Sequence, residues 1–335
     1  MVKKNWNLQL IKIFFSSVLF SLIVLCLERM LGVGIDYHPD AENYLNSVND
    51  TTIELFYIDP LNYVGSFYYV FVNLLKGNAN LLIGFNIFLF AVTNSVMFNL
   101  VRKIYLNKGW LYYFSILIII FDPYRAHLST HILKDTFIIF CLFFLCFSKS
   151  FIIASLFAVL GIFIRFSFFI YAPLLFCIKK NSIKNIIFIS IVIIITINPI
   201  IKLIVPWATG GQDADMSFRH FDLVPNFMNY DAGELIRTIV WPVIRITGAA
   251  ALFSPVYLLF ICQSFALIYI VFVNRNYLKF IHLIFIFPLA VLAYSTTGYN
   301  SFLRYTQPAV TIFSILIACL PSIYIANNET KRLVK

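Results

Sequence analysis

The chain has 335 residues, of which 61% are hydrophobic and 18% aromatic, while only 12% carry charge. That make-up excludes a soluble globular domain. With apolar runs of spanning length recurring throughout, it predicts an all-α polytopic integral membrane protein. The net charge of +10 does not point to nucleic acid, because the basic residues are scattered over short inter-helix loops, where they report orientation instead.

Lys3 and Lys4 precede a first apolar run, Leu8 to Leu31. It is longer than a signal-peptide core and lacks a small-residue cleavage site, so a retained first helix with a cytoplasmic N-terminus is expected. Gly32 to Pro60 contains Asp36, Asp40, Glu42, Asp50, Glu54 and Asp59 with no Lys or Arg, and reads as an exported loop. Leu61 to Leu75 is aromatic, short, and ends at Lys76-Gly77-Asn78, which suits an interfacial helix. Further spans are expected at about 79–101, 109–121, 136–148, 151–165, 166–178, 184–206, 252–273, 279–294 and 305–326. Residues 151–178 are also readable as one long helix carrying Arg165 in its middle. The split version gives about 10 transmembrane helices in a single domain, 1–335, with both termini cytoplasmic. The exported segments are then 32–60, 122–135, 207–250 and 295–304. Every acidic residue except Glu329 falls on that outer side, although acidic residues weigh little in topology, so the polar chemistry is expected on one face. All six cysteines lie within apolar runs without metal spacing, implying neither a disulfide framework nor a metal site.

The densest signal is Asp122 to Thr136, a knot of charge between two nearly pure apolar runs. Ionisable groups beside such runs are costly unless they face a protein interior or a watery cavity. On a helix, His127, His131 and Asp135 would share one face at i, i+4 and i+8, with Lys134 beside them. His131 suits proton transfer to or from a hydroxyl, and Arg125 and Lys134 suit a phosphate. The alternative for this stretch is a solvated juxtamembrane loop. Asp40 is a candidate general base; paired with Glu42, it is also a candidate for holding a divalent cation, the one cofactor left open. Arg165, deep in apolar sequence, needs an anionic partner or a polar cavity, or else snorkels to an interface. Arg237 and Arg245 are eight apart with Trp241 between them, and guanidinium pairs suit a diphosphate. Arg219 and His220 lie in the same long polar segment, and Arg304-Tyr305 opens the last helix. No Walker A or Rossmann glycine pattern supports a nucleotide site.

The order of these features resembles bacterial polytopic enzymes acting on lipid-linked sugars. The elements are Pro39, Asp40 and Tyr44 after the first helix, Gly77-Asn78, Leu133-Lys134-Asp135, and Arg304, Tyr305 and Pro308. They resemble the Wzy-type O-antigen or exopolysaccharide polymerases and, more distantly, the GT-C membrane glycosyltransferases. The resemblance implies joining of undecaprenyl-diphosphate-linked oligosaccharide repeat units of a surface polysaccharide at the outer face of a bacterial cytoplasmic membrane, with a chain-length regulator and a flippase as partners. It implies diphosphate contacts from Arg125, Lys134, Arg165, Arg219, Arg237, Arg245 and Arg304, with His220 and Tyr305 also at the substrate. His131 or Asp40, with Asp135 nearby, would carry the proton chemistry. A GT-C enzyme would instead place its catalytic acid at Asp40 or Asp36. A lipid-linked glycan transporter is the alternative of another class, and it would line its path with ionisable groups at several depths.

Overall fold

The computed structural model describes residues 2–34, 37–48, 50–59, 65–102, 109–148, 150–171, 232–249, 258–278, 286–295 and 299–333, and among these every regular element is helical. The helices are α1 (Val2–Met30), α2 (Pro39–Asn46), α3 (Asp50–Ile58), α4 (Phe67–Leu74), α5 (Ala79–Arg102), α6 (Trp110–Ile120), α7 (Pro123–Ser129), α8 (Asp135–Phe147) and α9 (Phe151–Ile164). After a 3-10 turn (Phe166–Tyr171) come α10 (Ala232–Thr247), α11 (Leu258–Val273), α12 (Ile286–Ser295) and α13 (Tyr299–Leu333).

Polarity is arranged inside out. On α1 the exposed face carries Leu8, Ile11, Phe15, Leu19, Leu22, Ile23 and Leu27, whereas Ser17 and Ser21 are fully buried. The two serines, four apart, bond inward: Asn94 of α5 donates to Ser17 Oγ at 3.1 Å, and Ser21 Oγ lies 3.2 Å from Ser129 Oγ. Apolar residues facing out and hydroxyls and amides facing in is what a hydrocarbon surrounding selects, because interhelical polar contacts then hold helices together. On α10, likewise, Ile236, Ile239, Val240 and Val243 are exposed while Arg245 is buried.

Among the described residues three helices are long and apolar enough to cross a membrane: Leu8–Met30, Ala79–Val101 and Phe302–Pro321. Their surroundings differ. The best window of the first is 11% buried within the protein and that of the last is 94% buried, so α1 lies on the rim and α13 forms the axis. The 13 residues of α8 and 14 of α9 are apolar but cover only about 20 Å, short of the roughly 30 Å hydrocarbon core. Three of the expected ten spans are thus matched by such helices among the described residues; the expected span 184–206 lies outside them, as do parts of 166–178, 252–273 and 279–294. Among the described residues the protein is thus all-helical, with the make-up of a membrane protein, and wrapped around α13. α1 packs along α5, α8 between α9 and α13, and α11 against α6 and α13.

Three local features set up the functional end. The Gly77-Asn78 pair works as a helix stop and start: Gly77 adopts φ 62° and its N–H closes back on Val72 O at 3.0 Å. The Asn78 side chain then accepts from the N–H groups of Asn80 and Leu81, capping α5. The stretch 151–178 is not one helix through Arg165. α9 ends at Ile164, Arg165 is extended (φ −148°, ψ 117°), and the 3-10 turn folds back until the Phe168 ring lies against Gly161. The stretch 32–60, expected as an exported loop, carries the short helices α2 and α3.

Candidate functional site

The charged stretch 122–135 is not one helix. Asp122 caps α7 by accepting the Tyr124 N–H at 2.9 Å, and the helix stops at Ser129. Residues 131–133 form a tight turn in which Leu133 N–H bonds His131 O at 2.9 Å, and α8 begins at Asp135. Asn86 of α5 donates its amide to His131 O (2.8 Å) and to Leu133 O (3.0 Å), which satisfies the carbonyls that this break exposes. The expected common face of His127, His131 and Asp135 is therefore split. The turn sends the histidines toward the C-terminal end of α1 and Asp135 toward α9 and α13.

Asp135 has no exposed surface and is clamped by two cations, Arg165 Nη2 at 2.8 Å and Arg304 Nε at 3.3 Å. Both guanidinium groups lie over the Tyr305 ring, at 4.5 and 5.0 Å from its centroid. Tyr305 is itself held by Tyr171, whose hydroxyl donates to its carbonyl at 2.5 Å. Arg304 also donates to Asp40, whose side chain is 37% exposed and marks the open side of the cluster. Half-buried Lys134 stands within electrostatic reach of Arg165, Asp135, Asp40 and Arg304, without an ion pair among the described residues. Two guanidinium groups and one amine thus face two carboxylates. Burial first, and then the neighbouring Arg165, lower the pKa of Lys134 to about 7. Its amine is therefore only partly charged at neutral pH and stands ready to take a proton when an anion arrives beside the one accessible carboxylate.

On the other side of the turn His127 Nδ1 lies 2.5 Å from Glu28 Oε1, and Thr130 donates to Glu28 Oε2 at 2.7 Å. His38, which precedes α2, puts Nε2 at 3.0 Å from His127 Nε2. His131 is fully buried and approaches Glu28 Oε2 at 3.4 Å, yet neither of its ring nitrogens has a hydrogen-bond partner. Burial first, and then the neighbouring His127 and His131, lower the pKa of His38 to about 3, so its imidazole is neutral at physiological pH.

The remaining candidates separate. Arg125 is an internal tether: its Nη2 donates to Asn94 Oδ1 at 2.9 Å and its guanidinium lies over Phe90 at 5.2 Å. Arg245 is also inside, bonded to the side-chain oxygens of Gln263 (3.0 Å) and Gln307 and stacked on Phe260 at 4.6 Å. The amide nitrogens of the same two glutamines donate to Asp122 Oδ2, so an aspartate and an arginine are linked through two amides. Arg237 lies on α10 with its side chain not described, and Arg219 and His220 lie outside the described residues. Asp40 and Glu42 stand two apart on α2, where side chains diverge; Asp40 turns to Arg304 and Glu42 is exposed.

Glu28, His38, Gln263 and Gln307 were not singled out from the sequence. Glu28 was legible, since it continues the inward stripe of Ser17 and Ser21 at i+11 and i+7 at the end of an apolar run. Compared with known proteins, the chain matches no protein-family model, no curated sequence and no solved structure.

Proposed function

We propose that the protein is a membrane-embedded polymerase that joins polyprenyl-diphosphate-linked oligosaccharide repeat units of a surface polysaccharide. Its site would lie at the outer face of a bacterial cytoplasmic membrane, with both chain termini inside. The observation that carries this reading is the accessible Asp40 carboxylate beside the basic groups of Arg165, Arg304 and Lys134. A diphosphate needs guanidinium and ammonium donors in a partly dehydrated site, and an acceptor hydroxyl needs a base within reach.

In this scheme Asp135 is the fixed anion that orients both arginines. The donor diphosphate draws Arg304 away from Asp40, which releases a carboxylate able to accept the acceptor's proton. The acceptor oxygen then forms its bond to the donor's anomeric carbon as the carbon–oxygen bond to the diphosphate breaks. The departing polyprenyl diphosphate keeps the electron pair, and Arg304, Arg165 and Lys134 hold its charge. His131, wholly enclosed, has no path to a sugar hydroxyl in this geometry, so Asp40 is the base we favour. Arg125 and Arg245 hold helices together.

The test is the lipid-linked glycan pool of a deletion strain complemented with wild type, Asp40→Asn or Arg304→Ala. Single repeat units on the carrier, restored to long chains by wild type but by neither variant, support polymerisation. Repeat units lacking one sugar would move the reading to a GT-C transferase. Intermediates trapped on the cytoplasmic leaflet would move it to a transporter.

A further inference from the structure

The histidine group at the end of α1 does not belong to the arginine–aspartate cluster and asks for its own explanation. His38 comes from one place in the chain and His127 and His131 from another, and their donor nitrogens all lie within 4.8 Å of one another. Their ring centroids are 4.6 to 5.1 Å apart. A packing role accounts for two of them at most. His127 gives its Nδ1–H to the Glu28 carboxylate, which leaves the Nε2 lone pair pointing at His38. His131 remains: it has no exposed surface, its Nε2 has only a long 3.4 Å approach to Glu28 Oε2, and its Nδ1 has no hydrogen-bond partner, a costly way to bury an imidazole.

We propose that His38, His127 and His131 bind one zinc-class divalent metal ion, with Glu28 as the carboxylate that orients His127. Three imidazoles around a tetrahedral ion at about 2.0–2.1 Å stand roughly 3.3 Å apart. The closest pair is already at 3.0 Å, and the widest separation, within 4.8 Å, has to shorten by at most about 1.5 Å to close the set. Neutral imidazoles select zinc and neighbouring first-row ions over magnesium or calcium, which require oxygen donors. A carboxylate on the far nitrogen of a ligand histidine is the usual means of fixing its tautomer and raising its basicity. Glu28 is itself held by Thr130 and brings one negative charge against the ion's two. Three protein ligands leave a fourth position, and the site lies beside exposed Tyr37, whose ring is 5.1 to 6.0 Å from the three imidazoles. An open fourth position is the mark of a reactive rather than a purely structural zinc site. The inference is independent of the glycan reading, since it rests on none of the residues assigned to the diphosphate.

The experiment uses the full chain, purified in detergent without a polyhistidine tag, stripped with chelator and titrated with Zn²⁺ or Co²⁺. Metal content is read by mass spectrometry and Co²⁺ coordination by its visible absorption. One equivalent of metal with a four-coordinate Co²⁺ spectrum is expected for wild type. His131→Ala and His127→Ala should weaken affinity by at least about 100-fold, and Glu28→Gln by about 10- to 100-fold. His38→Cys keeps a donor, so it should still bind one equivalent and add a thiolate-to-cobalt band, which guards against mere misfolding of the alanine variants. Substoichiometric binding by wild type, or binding indifferent to His131→Ala and without a thiolate band in His38→Cys, would overturn the proposal.

Discussion

Replacing Asp135 by Asn removes the one carboxylate that both Arg165 and Arg304 contact. Its side chain has no exposed surface, and that of Arg165 is 8% exposed, so neither charge can turn to water once its partner is gone. Breaking a buried pair in this way costs about 3–5 kcal/mol, since an uncompensated charge is left inside. The Tyr305 ring beneath both guanidinium groups keeps about 0.5–1 kcal/mol of cation–π attraction for each, which pulls the figure toward the lower end. Arg304 also retains Asp40. At about 2–4 °C per kcal/mol the apparent unfolding midpoint in detergent should fall by roughly 5–15 °C. The buried thiols Cys141, Cys146 and Cys319 report the transition when a thiol-reactive fluorophore is present during heating. Asp40→Asn is the control: at 37% exposure its loss should cost under about 1 kcal/mol and shift the midpoint by no more than a few degrees. An unshifted midpoint for Asp135→Asn, or a larger shift for Asp40→Asn, would refute the division into a fixed anion and an open base.

Two further substitutions probe the scaffold. Asn94→Leu takes the side-chain acceptor from buried Arg125 and a donor from Ser17, and should lower stability by about 1.5–3 kcal/mol in the same thermal assay; an unchanged midpoint would show that Arg125 finds another partner. In Gly161→Ala the new methyl would sit 2.6 Å from the ring of Phe168, which is itself buried. Crowding of about 1–3 kcal/mol, at its upper end for so short a contact, should outweigh the roughly 1 kcal/mol gained in helix propensity. A raised midpoint would mean that the 3-10 turn does not pack on α9.

How much of this was legible in the sequence depends on whether a residue acts along one helix or across several. Helix starts and stops followed from local chemistry: α5 begins after Gly77-Asn78, and α7 at Pro123 after the Asp122 cap, because glycine, asparagine, aspartate and proline impose their own backbone geometry. Asp135 and Arg165 stood out as charges lying against apolar runs, Asp40 by its spacing with Glu42, and Arg304-Tyr305 by opening the last helix, and the structure brings these five together. Their partners did not follow, because the pairing of Asp135 with Arg165 depends on how α8, α9 and α13 pack. The periodicity argument for His127, His131 and Asp135 failed for a definite reason. It assumed an unbroken helix, whereas Asn86, on a helix 45 residues earlier, stabilises a break at residues 131–133 by bonding two freed carbonyls. Likewise, arginine spacing on α10 gave a face but not its surroundings, and Gln263 and Gln307 draw Arg245 inward. His38 and Glu28 meet His127 only through tertiary folding, at separations of 89 and 99 residues.

The most direct measurement reconstitutes the purified protein in liposomes with polyprenyl-diphosphate-linked repeat units and follows product length, with no nucleotide sugar supplied. The account predicts glycan chains of several repeat units from wild type, and none from an Asp40→Asn protein whose unfolding midpoint is unchanged. Wild type that leaves the repeat units single, or an Asp40→Asn protein that elongates them equally well, would contradict it.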